Sequence, residues 1–148
     1  MAKSRSEVTL SVIIPTFNEA SRLPLLLADI KQYPNSLEIN IVDAESNDLT
    51  DLITKLANAN FYHCKKRSRG KQLQYGASIS KGDWLLFIHA DSRLTKGWYK
   101  SIIKTIENPD SSKYGWYFDF KINSKSPRLK ILEAAVSLRC NLFKTPYG

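Results

Sequence analysis

The sequence predicts an α/β fold, a mostly parallel sheet flanked by helices. Two features predict it. Short β-branched apolar runs alternate with segments of helical spacing, and each run ends abruptly in a polar cluster. Strand–helix repeats of this length imply parallel pairing through right-handed crossovers.

The first strand is Val8 to Pro15, VTLSVIIP, continuous and β-branched as in a strand covered on both faces. A helix follows, with Leu23, Leu26, Leu27 and Ile30 at helical spacing and Pro34-Asn35 closing it. Leu37 to Asp43, LEINIVD, reads as the second strand. Ser46 or Asn47 is the expected cap of the next helix, whose Leu49, Leu52, Ile53 and Leu56 make one apolar stripe. Phe61 to Cys64 is a short third strand, Gln72 to Ser80 a small-residue helix stopped by Gly82, and Trp84 to His89 the fourth strand. A helical pattern then runs through Trp98, Ile102, Ile103 and Ile106, with a turn at Asn108-Pro109-Asp110. Tyr114 to Ile122 has the aromatic richness of a strand, and Pro127 to Phe143 the pattern of an amphipathic helix. Its seam is Leu129, Leu132, Val136, Cys140 and Phe143, bordered by Lys130, Arg139 and Lys144. That seam is read first as packing on the sheet, and second as touching acidic lipid or a partner helix.

The chain has 148 residues, 43% of them hydrophobic, enough for one globular domain with its own core. No apolar run reaches the ~18 residues of a membrane-spanning helix, and Met1 to Glu7 lacks the apolar stretch of a secretory signal. Cys64 and Cys140 stand far apart in no metal-like spacing, which points to a reduced, cytoplasmic setting. Lys and Arg number 22 against 14 Asp and Glu, a net charge of +8 that favours anionic partners. Nucleic acid is the weakest of these, because no basic stripe interleaved with aromatics and no zinc-finger spacing occurs.

In a doubly wound sheet, ligands bind beyond the carboxyl ends of the strands. Those positions are polar here: Pro15-Thr16-Phe17-Asn18-Glu19, then Asp43 to Asp48, then His89-Ala90-Asp91-Ser92. Acidic side chains from separate strand tips, Asp43 and Asp91, are expected to converge in one crevice. Asn18 and Asp48 have the simpler reading of helix caps.

The ordered runs SVIIPTFNEA, IVDAESNDLT, RGKQLQYGAS and WLLFIHADSRL resemble family 2 glycosyltransferases with the GT-A fold, a Rossmann-like nucleotide-sugar-binding architecture. The subgroup most similar is bacterial, with His-Ala-Asp in place of Asp-X-Asp. The resemblance covers residues 8–95 as a nucleotide-sugar-binding half, leaves 96–148 as part of an acceptor half of the same domain, and extends to the closing TPYG. It implies that Pro15, Thr16, Asn18 and Glu19 line a nucleoside pocket. Asp43 would accept a hydrogen bond from base or ribose, with Ser46 and Asp48 close by. Arg69, Lys71 and Gln72, on a loop entering a helix, would hold the diphosphate, and Gln74 departs from the usual Asn. Asp91 would ligate Mg²⁺ or Mn²⁺ together with phosphate oxygens, while His89 replaces the first carboxylate.

The activity so implied is metal-dependent transfer of a sugar, with inversion, from a nucleotide-diphosphate sugar to an acceptor the sequence does not identify. Many relatives glycosylate lipid acceptors, which adds a lipid-linked acceptor and peripheral contact with the inner face of a membrane as options. The resemblance puts the general base in the second half, where neither Asp119 nor Glu133 is singled out by spacing. The rival reading is a non-catalytic or partner-dependent nucleotide-diphosphate-binding module. Late strands missing from the sheet would leave apolar faces that a homodimer could bury.

Overall fold

The computed structural model describes residues 10–119, 121–122 and 126–143. The elements run β1 (Leu10–Thr16), α1 (Leu23–Ile30), β2 (Leu37–Asp43), α2 (Thr50–Leu56), β3 (Asn60–His63), α3 (Arg69–Ile79), β4 (Trp84–Phe87) and α4 (Tyr99–Glu107). A 3₁₀ turn at Pro109–Lys113 and α5 (Pro127–Phe143) complete the order. The chain forms two compact units, Met1–Asn108 and Pro109–Gly148.

In the first unit the four strands form one sheet in the order β3-β2-β1-β4, every pair parallel. Register aligns Thr16 with Asp43 and Asp43 with His63, so the carboxyl ends of three strands finish level. Alternation along β1 and β2 divides the sheet into two faces. Val12, Ile14 and Ile41 face a core that holds Leu23, Leu26, Leu27 and Ile30 of α1 together with Trp98. Each such buried side chain contributes roughly 1.5–3 kcal/mol through lost apolar exposure. On the other face α3 lies against β1 and β2 at Gly76, where an added Cβ would come within 2.4 Å of Ile13 Cγ2 and 3.1 Å of Val42 Cγ2. β4 is one of the two edge strands, and its Leu85 and Phe87 are exposed.

The stripe expected to bury α2 is turned mostly outward, and of its four residues only Ile53 packs against the core. Leu49, Leu52 and Leu56 are exposed, while Thr50 and Thr54 are fully buried. The cause is an anchor at the helix start. Thr50 donates its hydroxyl and its N–H to Asp48 Oδ1 at 2.5 and 3.0 Å, and Thr54 bonds back to the Thr50 carbonyl at 2.9 Å. These bonds set the rotation of a short helix before its leucines can. They also move the cap from Ser46 or Asn47 to Asp48, with Leu49 at the formal N-cap position.

In the second unit, residues 114–119 and 121–122 are not strand, and Tyr114, Trp116, Tyr117 and Phe118 are exposed. Trp116 donates its indole N–H to the Ser111 carbonyl at 3.1 Å, which folds the segment back on the preceding turn instead of extending it. α5 forms as expected, but its seam is only partly inward: Cys140 is buried, Leu129 and Val136 are half-buried and Leu132 is exposed. Residues Val8-Thr9, the Phe143 side chain, Lys144 and the closing Thr145 to Gly148 lie outside the described residues. Cys64 and Cys140 are free thiols. No helix among the described residues is long and apolar enough to cross a membrane.

Candidate strand-tip site

With order β3-β2-β1-β4, chain leaving β1 crosses to one side and chain reaching β4 arrives on the other, opening a crevice at the tip of β1. The ladder continues past the strand ends through Ala44 N–H to Thr16 O (2.9 Å), Cys64 N–H to Asp43 O (2.7 Å) and Ile88 N–H to Ile13 O (3.2 Å). The tips are therefore rigid platforms for the loops above them.

The loops after β1 and β2 lock each other. Asn18 N–H donates to Ser46 Oγ (2.7 Å), Asn47 N–H to Asn18 Oδ1 (2.9 Å), Ala20 N–H to Asp48 Oδ2 (2.9 Å) and Glu19 N–H to Thr50 Oγ1 (3.1 Å). Asn18 and Glu45 take left-handed φ values of 53° and 60°, a conformation that Asn tolerates better than most residues. Asp48 is thus an anchor for both loops. Burial works against its charge, yet bonds from the Thr50 hydroxyl and the Ala20 and Thr50 N–H groups hold its carboxyl below the ordinary range.

Asp43 sits beneath this lattice, 1% exposed. Its Oδ1 accepts from Thr16 Oγ1 (2.8 Å) and Ser46 Oγ (2.5 Å), and its Oδ2 from Ser46 N–H (2.7 Å). Contrary to expectation, Asp43 does not present its carboxylate to a crevice shared with Asp91: it is turned into the protein, whereas Asp91 is exposed. Gln72 is likewise interior, 5% exposed, donating its Nε2 to Thr16 O (2.9 Å) and Val42 O (2.7 Å). It ties α3 to the tips of β1 and β2. Pro15 is buried in β1, and Glu19 turns its carboxylate to Arg22 at 3.3 Å while its carbonyl accepts from Arg22 and Leu23 at the start of α1.

The crevice side of α3 carries charge. The first helical N–H bond runs from Gln72 to the Ser68 carbonyl at 2.9 Å, so the N–H groups before it point out of the helix end beside the exposed Arg69. Arg69 lies within electrostatic reach of His89, and so does Asp91. Burial first, and the Arg69 charge second, depress the His89 pKa below 6.5, with Asp91 opposing. Both burial and Arg69 therefore disfavour the imidazolium form of His89. Arg67 stacks its guanidinium 3.4 Å from the Phe17 ring centroid, closing the crevice between the β1 loop and α3. Lys71 departs from this group, its Nζ reaching Gln74 Oε1 at 3.3 Å.

No group of three or more His, Cys, Asp or Glu able to hold a metal occurs among the described residues. The donor chemistry fits a hard divalent cation through one protein ligand, Asp91, an exposed oxygen donor with no hydrogen bond to protein among the described residues. The position of Asp91 depends on a residue that sequence patterns did not mark. Asp29 on α1 accepts from Arg93 Nε (2.7 Å), Arg93 Nη2 (3.1 Å) and Leu94 N–H (3.1 Å), and its carbonyl accepts from Trp98 Nε1 (3.0 Å). The only available signal was an acid placed among the apolar positions of α1.

Comparison with known proteins bears on the fold and the family. The chain is 35% identical over 101 residues to 4,4′-diaponeurosporenoate glycosyltransferase of Staphylococcus haemolyticus, covering 62% of this chain and 27% of the relative. It is 35% identical over 101 residues to dolichyl-phosphate beta-glucosyltransferase of Dictyostelium discoideum, covering 57% and 31%. The chain thus spans about a third of the length of these relatives or less. Among solved structures, S. aureus TarS residues 1–349 superposes with a TM-score of 0.62 at 23% identity, covering 67% of this chain and 32% of TarS. Mannosyl-3-phosphoglycerate synthase of Rubrobacter xylanophilus gives 0.59 at 24%, covering 69% and 37%. TarS has been crystallised with UDP and with UDP-GlcNAc, and the glucosyl-3-phosphoglycerate synthase of Mycobacterium tuberculosis with Mn²⁺ and UDP. These likenesses give the Rossmann-like GT-A fold. The profile of glycosyl transferase family 2 matches residues 11–144, and the chain belongs to that family.

Proposed function

We propose that this chain holds a nucleotide-diphosphate sugar in the strand-tip crevice and takes part in transfer of the sugar, with inversion, to an acceptor hydroxyl. The observation that carries the reading is the grouping of Arg69, His89 and exposed Asp91 beside two interlocked loops. Arg69 and the N–H groups at the start of α3 supply donors for the diphosphate. The Thr16–Glu19 and Asp43–Asp48 loops, held rigid by their mutual bonds, form a wall for the nucleoside. A Mg²⁺ or Mn²⁺ ion held by Asp91 and phosphate oxygens would neutralise charge on the departing diphosphate.

Asp43, Asp48 and Gln72 serve this site by positioning, since their side-chain bonds go to protein. Two relatives are named for 4,4′-diaponeurosporenoate and dolichyl phosphate, which supports a lipid-linked acceptor and work at the inner face of a membrane.

Calorimetry against UDP and GDP tests the proposal, with Mn²⁺ present and then chelated. Binding should be tighter with the metal, and Asp91→Ala should remove that metal-dependent part. Identical isotherms for wild type and variant, with and without metal, would sink it.

A further inference from the structure

The segment Lys65 to Lys71 carries five cations in seven residues, and the fold sorts them to two sides of α3. Arg67 and Arg69 go to the crevice, one stacked on Phe17 and the other near His89. Lys65, Lys66 and Lys71 instead line an open groove of about 460 Å³ with Gln74, Tyr75 and Ser78. The end of β3, His63 and Cys64, forms its floor.

The groove has a structural origin. Gly76 seats α3 over β1 and β2, so β3 at the sheet edge is left uncovered on that face. Tyr62 of β3 meets Tyr75 of α3 edge-on at 6.3 Å, bridging the gap at one side. Lys71, Gln74, Tyr75 and Ser78 follow at spacings of three and four, so they share one helix face.

The electrostatics are one-sided. No Asp or Glu lines the groove. Among the described residues Lys65 and Lys66 form no ion pair, and Lys71 meets only the neutral Gln74 amide. Three lysines lining one groove give it a positive potential, and a bound anion would be attracted by all three. Phenol, hydroxyl and amide groups between them supply hydrogen-bonding partners for oxyanions.

The groove and the crevice are separate places. The groove lies at the end of β3 and the crevice opens at the tip of β1, two strand spacings away, roughly 10 Å. α3 stands between them, so one diphosphate cannot occupy both.

We propose that this groove is a second anion site, taking a phosphate or pyrophosphate group carried by a ligand other than the donor nucleotide. The ligand is either a soluble phosphate ester or the headgroup of an anionic lipid, which share this chemistry. The site does not depend on the donor reading, and the test keeps the two apart.

The ¹⁵N-labelled full chain is titrated with inorganic pyrophosphate, alone and with saturating UDP. Saturable amide shifts at Cys64 to Lys66 and at Gln74, Tyr75 and Ser78 are expected, unaltered by UDP. The double variant Lys65→Ala/Lys66→Ala changes only exposed loop side chains and should weaken the binding about tenfold or more. In parallel, the chain is sedimented with phosphatidylcholine vesicles, with and without phosphatidic acid. Selective sedimentation with the acidic vesicles, lost in the double variant, identifies a lipid headgroup. Pyrophosphate binding without sedimentation identifies a soluble ester. Absence of both, or displacement of pyrophosphate by UDP, overturns the proposal.

Discussion

Asp29 and Arg93 join the far end of α1 to the loop that carries Asp91. The carboxylate takes two bonds from the guanidinium and a third from the Leu94 N–H, and it is 5% exposed. The Arg93 hydrogen bonds, aided by the Leu94 N–H, outweigh burial and hold its pKa below 3.8. A depressed carboxylate contributes stability above its unfolded pKa, about 3.9, and loses it as pH falls through the folded value. Asp29→Asn should therefore destabilise the chain at pH 7 by about 1–3 kcal/mol and reduce the loss of stability below pH ~4. Urea unfolding at several pH values measures both. Parallel stability curves for the two proteins would remove the pair from this role.

His89 should titrate below the usual histidine value because burial and Arg69 disfavour its cation. Arg69→Ala should raise its pKa toward 6.5, and Asp91→Asn should lower it further. The chain has two histidines, His63 and His89, so imidazole NMR signals are readily assigned. A His89 pKa indifferent to both variants would mean that the three side chains do not share a site.

Gly76→Ala should cost about 1–3 kcal/mol by overpacking, because the new methyl would lie 2.4 Å from Ile13 Cγ2 in the middle of the sheet. Denaturant midpoints measure this. Unchanged stability would show that α3 does not sit tightly on β1.

Gln72→Leu separates positioning from ligand contact. Its amide bonds two buried carbonyls, so the variant should lose about 1–3 kcal/mol with no ligand present. If stability held and only nucleotide affinity fell, Gln72 would touch the ligand instead.

These side chains also show what the sequence could reveal. β2 runs from Leu37 to Asp43 as expected, because an alternating apolar run ending in a carboxylate has few other solutions in a parallel sheet. The four apolar positions of α1 are all buried. The α2 stripe misled, since leucine spacing cannot register that Asp48 and Thr50 fix the helix rotation first. Tyr114 to Ile122 has strand composition, but strand propensity needs a partner edge to be realised. In the crevice, polarity after each strand marked the right loops. It could not separate Asp43 and Gln72, whose bonds go inward, from Arg69 and Asp91, which stay exposed. Asp29 went unmarked because its partner is 64 residues away.

The crevice itself is tested most directly by mapping amide shifts as UDP is added with Mg²⁺. The account predicts saturable changes at residues 16–20, 43–48, 69–72 and 89–92, losing their metal dependence in Asp91→Ala. Shifts confined to the β3 groove, or to residues beyond Asn108, would contradict it.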